Sequence, residues 1–155
     1  MAKTIDAVAF VLLHYPHKGE LSNARVTKML YLADWKHCMS YKKQITPISW
    51  YFDSYGPFVW DVMKSAEESD IVSVEMSTNM YGKNKRQLSL KSDSYKPKLQ
   101  PTEQLAIKHV IDMTKQMFWN DFIKLVYSTY PIVNSDRYSY LDLIELAEEY
   151  KATNS

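Results

Sequence analysis

The sequence has few of the residues that build cofactor sites or cross-links. It contains one cysteine, three glycines and four histidines in 155 residues. Cys38 cannot form an internal disulfide, which is typical of proteins of a reducing cytosol. Phosphate-binding loops need several glycines close together, and zinc sites need clustered thiolates or imidazoles. The scattered glycines and histidines therefore predict neither a cofactor nor a metal.

Long apolar runs are also missing. No stretch reaches the roughly 20 apolar residues of a membrane span. Residues 1–6 carry one lysine, an early acid and no small-residue cleavage pattern, so no signal peptide is expected. The formal net charge of +1 gives no general attraction to an anionic partner. We therefore expect a cytoplasmic protein that does not enter a membrane.

Apolar periodicity predicts two helices near the start of the chain. The first covers residues 4–15, with Thr4 as its cap and a stop at Pro16. The second runs from a Ser22 or Asn23 cap to about residue 40. Because the second helix is apolar on more than one side, we expect it at the centre of the fold.

The middle of the chain predicts short strands and one further helix. A turn at Pro47 leads into a strand that ends at residue 52, and residues 54–57 form a tight turn. Pro57 suits the first turn of a third helix over residues 58–69. Residues 71–76 alternate in polarity and pair with a strand that contains Leu88 and Leu90, forming a hairpin.

Three more helices are predicted after a linker-like break at residues 96–101. Thr102 would cap the fourth, and the fifth covers residues 119–129. Ser139 and Asp142 resemble a capping box that opens a last helix. The expected fold is a single α+β domain over residues 1–155. It is predominantly helical, with about five to six helices and a small antiparallel sheet or hairpin.

Asp34, His37 and Cys38 form the most reactive combination of residue types in the chain. A thiolate beside an imidazole can act as a nucleophile. However, neighbours in sequence on a helix diverge by roughly 100°, so His37 and Cys38 are expected to point in different directions. We interpret them as packed helix residues and expect no enzyme activity.

The segment over residues 83–98 is basic, and Tyr81 and Tyr95 flank it. Basic residues interleaved with aromatics can follow a nucleic-acid backbone. Lysines also protect the edge strand of a hairpin from pairing with other chains. We favour the second interpretation and keep a nucleic-acid-binding regulator as an alternative function.

Residues 50–60 contain six aromatic side chains in eleven positions. An alternating strand followed by an amphipathic helix cannot bury all six on one side. Tyrosine and tryptophan are frequent hot spots of protein interfaces, since they combine a large area with a polar group. About half of these aromatics are therefore expected in the core and half in an exposed interface.

Three short motifs in this part of the chain resemble the Panacea domain of SocA-like antitoxins. Residues 28–34, Lys-Met-Leu-Tyr-Leu-Ala-Asp, are similar to its Lys-Leu-Leu-Tyr-Leu-Ala-Asp signature. Ile45-Thr46 and then residues 55–57, Tyr-Gly-Pro, follow in the same order and at similar spacing. Lys42 and Gln44 depart from the pattern, because many members carry glycine and proline there.

The resemblance implies an antitoxin that binds a cognate toxin protein directly, in a homo- or hetero-oligomeric complex. Toxins of the family range from membrane-acting peptides to enzymes that attack translation, including some similar to small alarmone synthetases. One branch of the family passes its toxin to a protease, which gives a second alternative. The expected partner-binding residues are Tyr51, Asp53, Tyr55, Phe58, Trp60 and Asp61. The four aromatics would act as anchors, and either aspartate would pair with a basic group of the toxin.

Overall fold

The computed structural model describes residues 1–78, 82 and 84–154. These residues form helices α1 (Thr4–His14), α2 (Asn23–Tyr41), α3 (Asp61–Glu68), α4 (Pro101–Thr114), α5 (Trp119–Tyr127), α6 (Tyr130–Val133) and α7 (Leu143–Thr153). Their strands are β1 (Trp50–Asp53), β2 (Gly56–Pro57), β3 (Val72–Thr78), β4 (Asn84–Leu90) and β5 (Tyr140–Leu141). The predicted α+β, mainly helical fold class is confirmed.

Helix α2 lies at the centre of the fold, as its apolar surface predicts. Of its 19 residues, 14 are buried, and it packs against α1, α3, α4 and α7. The Ser22 side chain accepts a hydrogen bond of 3.2 Å from the Arg25 backbone N–H, which confirms Ser22 as the cap. The helix ends at Tyr41, and the residue after it, Lys42, has a left-handed φ of 59°.

A buried guanidinium connects α2 to the end of α4. Arg25 donates hydrogen bonds of 2.9 and 3.1 Å to the carbonyl oxygens of Thr114 and Met117. Its guanidinium also lies 4.5 Å from the centroid of the Phe122 ring in α5. Carbonyl groups at a helix C-terminus carry partial negative charge, so this cation satisfies them and holds α4 and α5 against α2.

Strand β1 is the middle strand of a three-stranded antiparallel sheet in the order β2-β1-β5. Phe52 pairs with Pro57 on one side, and Tyr51 pairs with Tyr140 on the other. Side chains alternate across a strand, so Trp50 and Phe52 are buried while Tyr51 and Asp53 are half-buried on the opposite face. The sheet therefore presents Tyr51 outward beside Tyr140.

The predicted hairpin is formed by β3 and β4, which pair from Val72 opposite Leu90 to Thr78 opposite Asn84. A backbone hydrogen bond of 2.9 Å from Leu88 to Leu21 attaches the hairpin to the segment before α2. Lys83 of the basic segment lies outside the described residues, and so does Tyr81, which flanks the segment.

The predicted start of the third helix at residue 58 is wrong. Gly56 and Pro57 pair with β1 instead of opening the helix, which begins at Asp61 after Trp60. Local sequence suits both arrangements, and the pairing with Asp53 and Phe52 decides between them. The consequence is that residues 58–60 form a connection between the sheet and α3, in which Phe58 and Val59 are half-buried and Trp60 is exposed.

Three predicted helix caps are also wrong. Thr4 is the first helical residue of α1 and not its cap, and Gln100 precedes α4 in place of Thr102. The Gln100 N–H donates a hydrogen bond of 2.7 Å to the Glu103 carboxylate, which stabilises the start of α4. At α7, Asp142 is the cap, while Ser139 donates to a nearby backbone carbonyl.

Candidate functional site

An exposed group of aromatic side chains surrounds β1. We call it the aromatic patch and define it by Tyr51, Tyr55, Phe58, Trp60, Tyr138 and Tyr140. Tyr55 is 83% exposed and Trp60 is 65% exposed, although both are large apolar side chains. An exposed cluster of this kind marks a binding surface more often than a solvated one.

Ring contacts join four members of the aromatic patch in two pairs. The Tyr51 and Tyr140 rings meet edge to face with their centroids 5.0 Å apart, and the Phe58 and Trp60 rings do the same at 5.0 Å. The Phe58 N–H donates a hydrogen bond of 2.9 Å to the Tyr51 carbonyl, which joins the two pairs. On the far side, the Tyr138 hydroxyl lies 3.1 Å from the Ser54 hydroxyl, next to Tyr55.

The predicted aromatics divide between core and surface as expected. Trp50 is completely buried and Phe52 is 5% exposed, whereas Tyr55 and Trp60 project into solvent. Tyr51 and Phe58 are half-buried. Half-buried rings with an exposed face are suited to contact a partner because their orientation is already fixed.

Charged groups border the aromatic patch. Asp61 is the exposed first residue of α3, and Asp53 is half-buried at the end of β1. Asp53 accepts a hydrogen bond of 2.8 Å from the Ser54 N–H, which orients its carboxylate. Lys28 lies under the Phe58 ring, with its Nζ 5.5 Å from the ring centroid. Burial is the larger effect on Lys28 and lowers its pKa to about 8. The nearby charge of Asp53 acts in the opposite direction and raises this pKa.

The turn between Tyr55 and Phe58 of the aromatic patch depends on a glycine. Gly56 has φ of +101°, a conformation that other residues rarely adopt. A Cβ at this position would also lie 3.4 Å from the Tyr127 ring of α5. Gly56 therefore allows the chain to turn closely against α5, so that Tyr55 projects outward at the tip.

A fully buried carboxylate holds the segment that leads into β1. Asp34 accepts hydrogen bonds from the backbone N–H groups of Ile45 and Thr46, at 2.8 and 3.1 Å. It also accepts from the Thr46 hydroxyl at 2.6 Å and from the Trp50 indole at 2.8 Å. These four bonds fix the position of residues 45–50, and thereby the position of β1 and the patch.

The side chains of Asp34, His37 and Cys38 do not form a nucleophilic centre. The His37 ring nitrogens lie 2.7 Å from the Lys43 carbonyl and 3.1 Å from the Thr102 hydroxyl, so both are occupied. Burial raises the pKa of Cys38 to about 12, with a smaller contribution from the charge of Asp34. The neutral thiol is a poor nucleophile, and the carboxylate serves the segment before β1.

The basic segment makes contacts within the chain. Lys85 donates a hydrogen bond of 3.1 Å to the Gly19 carbonyl, and Arg86 lies 3.5 Å from the Glu67 carboxylate. Tyr95 donates to Asp6 and is half-buried, so its hydroxyl is already engaged within the chain. These contacts resemble those of a hairpin surface more than those of a nucleic-acid groove.

Within residues 1–78, 82 and 84–154, no three metal-binding side chains come together. No helix formed by that same part of the chain is long and apolar enough to cross a membrane.

Sequence reasoning missed two members of the aromatic patch, Tyr138 and Tyr140. They lie 87 and 89 positions after Tyr51 in sequence, and β5, which places them there, is only two residues long. The run Tyr138-Ser139-Tyr140 directly before an apolar Leu141 was the available signal in the sequence. A two-residue strand has too few positions to show an alternating pattern.

Comparison with known families gives one match. The family model described as the Panacea domain of SocA-like antitoxins matches residues 26–131, more than half of the chain. The matched region contains Asp34, β1 and the patch residues up to Trp60, but not Tyr138 and Tyr140. No curated protein and no solved structure matches the chain significantly.

Proposed function

The chain belongs to the Panacea-domain family of SocA-like antitoxins, and we propose that it neutralises a cognate toxin protein by binding it through the aromatic patch. The observation that carries this proposal is the set of exposed and half-buried rings around β1, four of which are in contact in two pairs. In this proposal the chain acts as one domain over residues 1–155, in the cytoplasm and without catalysing a reaction.

The aromatic patch has the composition of an interface centre. Tyr55 and Trp60 expose large rings, and burying such side chains in a partner's pocket supplies much of the free energy of binding. A stable complex of this type buries roughly 800 Å² on each partner. The toxin would then be inhibited because its active site or substrate entrance is covered.

The rigidity of the support favours tight binding. β1 is hydrogen-bonded on both sides, and Asp34 fixes the segment before it. A surface that is already ordered loses little conformational entropy when the partner binds. Asp53 and Asp61 add negative charge at the border of the patch, where a basic group of the toxin would pair with them.

Co-expression tests the proposal. The product of the adjacent gene is expressed alone and together with this chain, and growth is measured along with co-purification. We expect toxicity alone, rescue by this chain and a stable complex. A harmless neighbour, or a toxic one that neither co-purifies nor is neutralised, contradicts the proposal. Rescue that requires an intact cellular protease would identify the chain as an adaptor instead.

A further inference from the structure

Lys28 is a charged residue whose side chain is almost entirely buried and whose ammonium group has no ion-pair partner among the described residues. It lies in α2 and is 3% exposed, as buried as its apolar neighbours. The ion pairs found among the described residues join Arg86 to Glu67 and Lys115 to Asp112, and neither involves Lys28. Within that part of the chain its ammonium group also has no hydrogen-bond acceptor.

The immediate surroundings of Lys28 do not neutralise its charge. The Phe58 ring offers a cation–π contact at 5.5 Å. Asp53 is close enough to raise the pKa of Lys28 but lies outside ion-pair distance, and its carboxylate accepts a hydrogen bond from the Ser54 N–H. The side chain is packed among apolar groups, whereas its ammonium nitrogen is not fully enclosed and remains accessible to an incoming group.

The position of Lys28 connects it to the aromatic patch. Its Nζ lies 5.5 Å from the centroid of the Phe58 ring, and the same ring contacts the exposed Trp60. A group of the partner that enters beside Phe58 would reach an ammonium that burial of its side chain has partly desolvated. Charge-assisted hydrogen bonds in such surroundings are stronger than those at a solvated rim.

We infer that Lys28 is the binding site for a single carboxylate of the partner protein, an aspartate or glutamate side chain that enters beside Phe58. This inference rests on the proposed function and adds a specificity determinant to it. The ammonium donates to the incoming carboxylate, and Phe58 and Trp60 exclude water around the pair.

The charges at the border favour a protein carboxylate over a nucleic acid. Asp53 and Asp61 lie on the same surface, and a phosphate backbone with many negative charges would be repelled by them. One carboxylate brings a single negative charge near Asp53, whereas a phosphate backbone would bring several. The combination of a single buried cation and exposed rings therefore matches an acidic residue within an apolar segment.

Lys28→Met tests the inference, with Lys64→Met as the control. Lys64 is an exposed lysine of α3 that lines the shallow depression beside Trp60, so its removal changes the net charge equally. The affinity for the purified toxin and the melting temperature are measured for both variants. We expect Lys28→Met to keep or raise the melting temperature and to weaken binding about 10- to 100-fold, with a much smaller effect for Lys64→Met.

A double-mutant cycle identifies the partner group. Each exposed acid of the toxin is changed to its amide and tested against the wild-type chain and Lys28→Met. The change of one of these acids to its amide should weaken the toxin's binding to the wild-type chain but should not further weaken its binding to Lys28→Met. If Lys28→Met does not fold, Lys28→Gln, which keeps a polar end without the charge, takes its place.

The outcomes separate this inference from the proposed function. A toxin that does not bind the wild-type chain contradicts the proposed function. A toxin that binds the wild type and Lys28→Met equally, or that has no acid coupled to Lys28, overturns the assignment of Lys28 alone. If the chain instead binds duplex DNA, with an affinity that falls steeply with salt and is lost in Lys28→Met, the ligand of Lys28 is a phosphate and not a carboxylate.

Discussion

The Trp50 indole N–H donates a hydrogen bond of 2.8 Å to the Asp34 carboxylate, and both residues are completely buried. This contact joins the central helix to the first residue of β1. It explains why an acid is present in the middle of the core. The carboxylate accepts hydrogen bonds from the Ile45 and Thr46 N–H groups, the Thr46 hydroxyl and the Trp50 indole, and none of these donors bonds to the backbone of a strand or helix in the described chain. The stability of the fold and the position of the aromatic patch therefore depend on the same group.

Asp34→Asn should destabilise the protein by about 2–3 kcal/mol, because an amide cannot accept from every donor that the carboxylate satisfies. The Trp50 N–H would face an N–H₂ group or lose its acceptor. Chemical denaturation measures the change, with Asp93→Asn, an exposed acid in the segment after β4, as the control. A variant as stable as the control would show that the Asp34 bonds contribute little.

The pH dependence of stability should carry a contribution from Asp34. Burial raises the pKa of Asp34 to about 6 in the folded chain, although its hydrogen bonds to Thr46, Trp50 and Ile45 lower it. In the unfolded chain the pKa is near its ordinary value of 3.8. The folded state therefore binds more protons between these values, and the contribution is fully present below pH 3.8 and lost as the pH rises through 6.

Denaturation of the wild type and of Asp34→Asn at several pH values measures this contribution. The difference between their free energies of unfolding should decrease by a few kcal/mol as the pH rises from about 4 to 7. A difference that increases over this range would mean that the hydrogen bonds outweigh burial and that the folded pKa lies below 3.8.

Lys42→Gly should stabilise the protein by about 1 kcal/mol. Lys42 has φ of 59° and ψ of 28°, a left-handed conformation in which a Cβ is unfavourable and a glycine is not. The greater freedom of glycine in the unfolded chain offsets part of the gain. The measurement is the melting temperature. Lys43→Gly is the control, because the non-glycine residues with positive φ in the described chain are Lys42 and Tyr138.

Cys38→Ala should retain full neutralisation of the toxin. The buried thiol has a pKa raised to about 12, so it is protonated at neutral pH and slow to react. Alkylation with iodoacetamide should be slow in the folded chain and fast in denaturant. Loss of neutralisation by a folded Cys38→Ala variant would revive a catalytic role for this residue.

Tyr55→Ala and Trp60→Ala should each weaken binding of the toxin by about 30-fold or more, since exposed aromatic anchors contribute about 2 kcal/mol each. Neither ring is part of the core, so the melting temperature should change little. Phe118→Ala is a matched control. Phe118 is 82% exposed and directly precedes α5. Tyr127, which lies against Gly56 of the turn in the patch, is at the opposite end of that helix, so Phe118 is outside the patch. Equal losses for Phe118→Ala would argue against a localised interface.

The sequence predicted those elements whose patterns are long. Helix α2 has 19 residues and a buried surface on several sides, and the β3–β4 hairpin has seven pairs, so both were identified. Elements of two to four residues, β2, β5 and α6, were missed or assigned to a turn. The conformation of β5 is decided by its contact with a distant strand, Tyr140 opposite Tyr51, and local propensity carries no information about this contact. Strand β2 instead pairs with residues three to five positions away, in a stretch whose composition also suits a plain turn.

The motifs that identified the family have a physical explanation in the structure. Asp34 and the pair Ile45-Thr46 are partners in one hydrogen-bond network, and Gly56 in the third motif needs its positive φ. Gln44 departs from the family pattern, and its side chain joins the network by donating to the Thr46 and Ile48 carbonyls at 3.0 and 2.8 Å. Sequence spacing alone showed the order of these motifs but not that they meet.

The central claim is that the toxin binds the aromatic patch. Hydrogen–deuterium exchange of the chain, free and in complex with the purified toxin, tests it most directly. The account predicts protection concentrated in residues 51–61 and 138–140, with the hairpin β3–β4 unchanged. Protection confined to the hairpin or to the start of α5, with residues 51–61 exchanging as in the free chain, would contradict it.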